Sequence, residues 1–360
     1  PAMTGPLIVI GAGGTAGHVV PALAVANALR AAGAEVVFIG GDRAERQLVP
    51  AGGYELRTLR VAPLAGRSPR QALGAAVVVT RAVACARRLI RQLHPAATLG
   101  AGGYSAGPVG LASALSRVPL VVMEADSHLG LANRLLAPFA RRVCLTFPLQ
   151  GRDGARYRVT GRPGPLPATD RAAARRRFEI PADEPCVLVF GGSLGARSIN
   201  RAAVQAFAGA RFHVLHAAGT RDLADLTAPG PRYDIRGYID SFGEAILAAD
   251  LVVARSGGSI FEVAAHGRPM VLIPYPHAAA DHQTENARFM ERAGAALVIP
   301  DAELTGPRLA QEVGHLLSDP NRLAIMARAS AALARPDAAQ AVCDEVLAAA
   351  DSGRRRRGRS

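Results

Sequence analysis

Gly11-Ala-Gly-Gly-Thr-Ala-Gly17 follows a short apolar run and ends on His18, where the chain turns helical. Glycines there let backbone N–H groups approach a phosphate, and the helix that follows aims the positive end of its dipole at it. A helix N-terminus disfavours imidazolium, so His18 is expected to stay neutral and able to accept a proton near pH 7. That suits a general base acting on a hydroxyl beside a bound diphosphate. It equally suits a histidine that only caps the helix.

A second turn of the same build, Val187-Leu-Val-Phe-Gly-Gly-Ser-Leu-Gly-Ala196, lies about half the chain later. One such turn suggests a nucleotide site; two suggest a pair of Rossmann-like domains facing each other across a cleft. Arg255-Ser-Gly-Gly-Ser-Ile-Phe-Glu262 again places glycines and small hydroxyls after a strand. Glu262 there can accept two hydrogen bonds from a ribose diol, or serve as a capping-box carboxylate. In Pro274-Tyr-Pro-His-Ala-Ala-Ala-Asp-His-Gln-Thr-Glu-Asn286 the amides of Gln283 and Asn286 suit sugar hydroxyls. The spacing of His277, Asp281 and His282 matches no standard metal site, and no Asp-x-Asp occurs anywhere in the chain. No metal and no cofactor are therefore expected, and charge on a leaving group falls to helix N-termini and arginine.

The glycine turn alone also fits a dinucleotide-dependent dehydrogenase, but such an enzyme needs an acid about 20 residues on. Asp42 closes the second strand well beyond that interval and past a Gly-Gly pair. Composition removes further classes. The chain has no lysine, so all 42 basic residues are arginine, which excludes a P-loop lysine, a Schiff-base lysine and a lysine nucleophile. The net charge of +13 points to an anionic partner: a phosphorylated substrate, a phospholipid surface or nucleic acid. Nucleic acid is set aside, because aromatics make up only 4% of residues and form no stacking platform. Cys85, Cys144, Cys186 and Cys343 are scattered without CxxC spacing, as expected of buried thiols in a reducing cytoplasm. No basic stretch precedes the first strand, so no secretory leader is expected, and no apolar run reaches the length that spans a bilayer.

These residues need a scaffold that alternates strand and helix. Strands are expected at Leu7–Ile10, Glu35–Ile39, Ala97–Leu99 and Leu120–Met123, with helices at Val19–Ala32, Ala44–Ala51 and a long one ending near Leu93. The pattern restarts at Cys186, with strands at Phe212–His216, Leu251–Ala254 and Met270–Ile273. Near-continuous apolar strands in such alternation indicate buried parallel sheets, hence an α/β chain of two domains. Thr160-Gly-Arg-Pro-Gly-Pro-Leu-Pro167 reads as the linker. It divides an N-terminal domain (1–160) from a C-terminal one (161–350), whose last helix can pack back on the first, and an Arg-rich tail (351–360) is expected to be disordered.

Taken together, Gly13-Gly-Thr-Ala-Gly-His18 with Pro21-Ala-Leu-Ala, Gly102-Gly-Tyr-Ser-Ala-Gly-Pro108, Gly191-Gly-Ser-Leu-Gly-Ala196 with Asn200, and the Glu262, Gln283, Asn286 region resemble the MurG family of GT-B glycosyltransferases. The resemblance runs from about residue 7 to 345. It implies UDP-N-acetylglucosamine as donor, undecaprenyl-diphospho-N-acetylmuramoyl-pentapeptide as acceptor, and a β-1,4 bond formed with inversion at the cytoplasmic membrane face. Carried over by position, His18 would be the base or acceptor organiser, with Thr15, Ala16 and Gly17 lining the cleft. Asn133 would reach the donor sugar, Ser193 the UDP phosphates, Ile239 the uracil, Glu262 the ribose, and Gln283 and Asn286 the sugar hydroxyls. Gly258 would join the donor site, and Gly14, Gly103, Tyr104 and Ser105 would form the acceptor side.

The chain also departs from the family. Glu124-Ala-Asp126 stands where Glu-Gln-Asn is usual, and Gly161-Arg-Pro-Gly-Pro165 replaces Gly-Asn-Pro-Val-Arg, so Arg162 would substitute for the missing arginine. The segment Leu64–Arg70 and the helix after it mix apolar residues with Arg67, Arg70, Arg81, Arg87 and Arg88. That fits contact with an anionic lipid surface, or an ordinary amphipathic helix. Three other functions keep the same architecture: transfer to a different lipid acceptor, a UDP-N-acetylglucosamine 2-epimerase with extra carboxylates, and a nucleotide-sugar binder that does not need His18.

Overall fold

The computed structural model describes residues 5–59, 69–126, 129–192, 194–278 and 281–357, with side chains left out at 69–77 and 354–357. Two compact units divide the chain, one of residues 1–165 with 335–360, the other of residues 166–334. The boundary falls inside the expected linker, at Pro165–Leu166 rather than after residue 160.

The first unit alternates β1 (Leu7–Gly11), α1 (Ala16–Ala31), β2 (Glu35–Gly40), α2 (Ala44–Ala51), β3 (Glu55–Thr58), α3 (Pro69–Leu93), β4 (Ala97–Gly100), α4 (Gly103–Leu115), β5 (Leu120–Glu124), α5 (Leu131–Leu136), β6 (Arg142–Leu145) and β7 (Tyr157–Val159). Its strands form one sheet in the order β3-β2-β1-β4-β5-β6-β7, parallel throughout. Both faces are covered, which is why the strands read as apolar runs instead of alternating. Ile8, Ile10 and Phe38 pack with Val19, Val25 and Leu29 of α1, while Val9 and Ile39 pack with Ile90 of α3 and Val109 of α4. The C-terminal helix, Ala338–Arg357, adds Val342 and Val346 to the first of these clusters, so the last helix belongs to this unit. It continues through Arg357, so most of the tail expected to be disordered is helical.

The second unit carries α6 (Arg171–Arg177), β8 (Cys186–Phe190), α7 (Arg197–Ala206), β9 (His213–Ala217), β10 (Tyr233–Arg236), α8 (Phe242–Ala248), β11 (Leu251–Ala254), α9 (Ile260–Ala265), β12 (Met270–Leu272), α10 (His282–Arg292), β13 (Ala296–Val298), α11 (Gly306–Leu317) and α12 (Pro320–Ala332). Its parallel sheet runs β10-β9-β8-β11-β12-β13. Counting from each unit's first strand, both sheets begin 3-2-1-4-5-6, the doubly wound order that reverses direction between its first and fourth strands. Gly11 lies in register with Gly100 across that reversal in the first unit, and Phe190 with Ala254 in the second. Ligands of open α/β sheets bind beyond the carboxyl ends of strands at this point, and all three glycine loops leave from there.

Candidate functional site

In the first unit two glycine loops meet backbone to backbone. Gly103 has φ +77° and a Cβ there would stand 1.7 Å from the Gly13 carbonyl oxygen, so only glycine fits. Gly102, at φ +93°, makes room for the His18 ring, since its Cβ would stand 2.7 Å from His18 Cδ2. Helix α1 begins at Ala16, so His18 lies inside the first turn and not at its junction with the loop. Thr15 occupies the N-cap position but makes no side-chain cap; its hydroxyl instead lies 3.2 Å from His18 Nδ1. With the ring proton on Nδ1 and donated to Thr15, Nε2 is the basic atom.

His18 borders a cavity of about 410 Å³ that also touches Gly103, Tyr104, Glu124, Asp126 and Asn133. Asn133 is buried there, donating Nδ2 to Met123 O (3.1 Å) and to Glu124 Oε2 (2.9 Å). Its Oδ1 is buried without a hydrogen-bond partner, a position that a ligand hydroxyl or N–H would satisfy. Glu124 also accepts from Gly130 N (2.8 Å) and Asp126 N (3.1 Å). Burial pushes its carboxyl above the ordinary value, against those hydrogen bonds. Arg162 donates Nη2 to Gly17 O (2.6 Å) and Nη1 to Ala125 O (3.2 Å), which ties the start of α1 to the loop after β5.

Thr15, Ala16, Gly17, His18, Asn133 and Arg162 therefore belong to one unit, together with Gly14, Gly103, Tyr104 and Ser105. Glu45 was absent from the expected site residues. It is fully buried and accepts from Gly14 N (2.9 Å), Gly41 N (2.8 Å) and the Tyr104 hydroxyl (3.0 Å). The Gly14 amide is thus committed to a carboxylate inside the unit, contrary to a phosphate-facing role for every amide of the loop. An acid in the first turn of α2, just behind Gly40-Gly41, was the available signal.

In the second unit Gly195, at φ +77°, passes so near Ala218 that a Cβ would stand 1.9 Å from its carbonyl oxygen. Asn200 secures this approach by donating Nδ2 to Ala218 O (2.9 Å), and its Oδ1 meets His216 Nε2 (3.0 Å). Ser193 lies outside the described residues. Arg255 is a buried strut that donates to Ile273 O, Pro274 O, Asp301 Oδ1 and Ser198 Oγ. The Ser256 hydroxyl donates to Gln283 O (2.7 Å), Asn286 Nδ2 donates to Ser256 O (3.0 Å), and Gln283 Oε1 accepts from Tyr275 N (3.0 Å). Gln283 and Asn286 are thus brought against the loop that carries Gly258. Asn286 is fully buried, and its Oδ1 has no partner.

Glu262 sits in the first turn of α9, where Ser259 makes no side-chain cap, so the serine half of a capping box is not formed. Ile239 packs among Leu188, Phe190 and Ala254 in the core at 4% exposure. A base contact by this residue would fall to its main chain. Among the described residues no group of three or more His, Cys, Asp or Glu side chains is arranged to hold a metal ion.

Residues 8–145 match the glycosyltransferase family 28 N-terminal domain, and residues 186–342 match the family's C-terminal domain. A protein of Halothermothrix orenii named UDP-N-acetylglucosamine--N-acetylmuramyl-(pentapeptide) pyrophosphoryl-undecaprenol N-acetylglucosamine transferase is 37% identical over 352 residues, covering 91% of this chain and 95% of the relative. The protein of that name from Moorella thermoacetica is 40% identical over 370 residues, covering 96% of this chain and all of the relative. Among solved structures, Acinetobacter baumannii MurG superposes with a TM-score of 0.76 at 29% identity, covering 95% of this chain and 99% of that one. With both halves matched and the fold shared, the chain belongs to glycosyltransferase family 28 and, within it, to the MurG family of GT-B N-acetylglucosaminyltransferases.

Proposed function

We propose that this enzyme moves N-acetylglucosamine from UDP-N-acetylglucosamine to the C4 hydroxyl of undecaprenyl-diphospho-N-acetylmuramoyl-pentapeptide, with inversion, in peptidoglycan synthesis. The observation that carries the reading is near-full-length identity to relatives named for this transfer. His18, paired with Thr15 and bordering the 410 Å³ cavity, supports a role for the first unit in accepting the sugar. In that scheme His18 Nε2 takes the proton of the acceptor hydroxyl, whose oxygen attacks the anomeric carbon. The bond from that carbon to the diphosphate oxygen breaks, and UDP leaves with the electron pair. Amides of the Gly191–Ala196 loop, Ser193 and arginine take up its charge, Glu262 holds the ribose, and Ile239 meets the uracil. In the second unit Gln283 and Asn286 face the sugar hydroxyls, and in the first the unpartnered Asn133 Oδ1 is open to a substrate hydroxyl or N–H.

The same reading places the protein peripherally on the cytoplasmic face of the bacterial plasma membrane, against anionic phospholipid. No helix among the described residues is long and apolar enough to cross a membrane. Leu131, Leu135 and Phe139 are 53%, 63% and 62% exposed on the first unit, beside Arg134. Apolar side chains next to arginine support shallow insertion among acidic headgroups. Arg67, which joins this surface in the proposal, lies outside the described residues, as does the side chain of Arg70.

The test is product analysis after incubating the protein with UDP-N-acetylglucosamine and a short-chain polyprenyl acceptor. One added, β-linked N-acetylglucosamine is expected. An α-linked product, or recovery of free 2-epimerised sugar nucleotide, would refute the proposal.

A further inference from the structure

Glu45 takes no part in the scheme above, yet two loops and the first turn of α4, all at the carboxyl edge of the first sheet, converge on it. Burying an ionised carboxylate is costly unless donors surround it. Here Oε2 accepts from Gly14 N, while Oε1 accepts from Gly41 N and from the Tyr104 hydroxyl. The space is made by missing side chains. A Cβ on Gly13 would stand 2.7 Å from Glu45 Oε1, and one on Gly41 2.4 Å from the Tyr104 oxygen. Burial raises the Glu45 pKa, but the hydrogen bonds outweigh it and hold the carboxyl below its ordinary value. Burial and the Glu45 hydrogen bond push the Tyr104 phenol up to about 12. Arg43, 5.4 Å from the ring centroid, and Asp42 are the other charges facing it.

We propose that Glu45 is a positioning residue of the transfer: it fixes the loops of Gly14 and Gly41 and the first turn of α4 at Tyr104, and draws the phenol proton inward. The Tyr104 oxygen then meets the acceptor substrate with lone pairs only. It selects a donor group, a sugar hydroxyl or a peptide N–H, and not a phosphate oxygen. This rests on the transferase reading above.

The experiment compares wild type, Glu45→Gln, Tyr104→Phe and the double variant of the full chain. Acceptor kcat/KM, UDP affinity by calorimetry, and tyrosine ionisation by ultraviolet difference against Tyr104→Phe are measured on each. Each single change is expected to lower acceptor kcat/KM about 10–100-fold, the size of a lost hydrogen bond to a charged group. UDP affinity should stay within about twofold, and the double variant should be no worse than Glu45→Gln alone. In Glu45→Gln the Tyr104 ionisation should move down toward the ordinary phenol range. Losses that multiply in the double variant, or that fall in parallel on UDP binding, overturn the proposal. If Glu45→Gln does not fold, Tyr104→Phe decides: unchanged acceptor kinetics overturn it, and a loss confined to acceptor kinetics supports it. If wild type transfers no sugar, the transferase reading fails, while an unmoved Tyr104 ionisation in Glu45→Gln separately defeats the positioning role.

Discussion

The Thr15 hydroxyl lies 3.2 Å from Nδ1 of His18, so a residue placed to cap helix α1 instead orients the ring that follows it. Thr15→Val keeps the shape and removes the oxygen. It should lower kcat about 10-fold with UDP affinity unchanged, a part of the roughly 10²–10⁴-fold that a positioned general base contributes. Thr15→Ser should restore the rate. Equal rates in Thr15→Val and wild type would leave the hydroxyl without a role in orienting the base.

Glu262 belongs to the second unit and His18 to the first. Glu262→Ala should weaken UDP about 10-fold or more by removing a charge-assisted pair of hydrogen bonds, with acceptor KM little changed. Calorimetry of UDP alongside acceptor kinetics checks this. Equal losses on both substrates would undo the ribose assignment.

His216 offers a pH-dependent prediction. It is fully buried between Asn200 and the Tyr233 hydroxyl, and burial lowers its pKa to about 4. The unfolded chain binds that proton near pH 6.5, so between these values the unfolded state holds more protons than the folded one. Stability is therefore intact above about pH 6.5 and falls by about 3 kcal/mol as pH drops toward 4. Urea unfolding at pH 7 and pH 4.5 should show a shallower pH dependence for His216→Gln than for wild type. Matching slopes would mean the ring titrates normally in the folded state.

Membrane contact is tested with Arg67→Ser/Arg70→Ser and, separately, Leu135→Ser/Phe139→Ser. Each pair should reduce co-sedimentation with anionic vesicles several-fold at low salt, the effect of the arginine pair shrinking at high salt and that of the apolar pair persisting. An undiminished vesicle-bound fraction in both pairs would place the lipid-facing surface elsewhere.

The glycine loops, β1, β2, β4, β8 and β11 were legible because buried parallel strands are largely apolar, and all of these but β11 stop at glycine. β3 (Glu55–Thr58), β7 (Tyr157–Val159) and β10 (Tyr233–Arg236) were not, since edge and near-edge strands carry charged residues on an exposed side. The helix α5, of six residues, presents too little periodicity to read, whereas α9, equally short, was legible only from the glycines, small hydroxyls and Glu262 at its start. His18 and the Gln283–Asn286 pair were found by residue type and loop position. Glu45 was not, because its partners are two backbone amides and a tyrosine 59 positions away, a convergence only the fold creates. Arg255 and Asn200 stand within the site motifs, and their hydrogen bonds brace neighbouring backbone and side chains.

The division of labour between the units is tested most directly with His18→Ala, by measuring sugar transfer and UDP binding on the same preparation. Transfer should fall by at least about 100-fold while UDP binds as in wild type. Undiminished turnover in this variant would remove His18 from the chemistry and contradict the account.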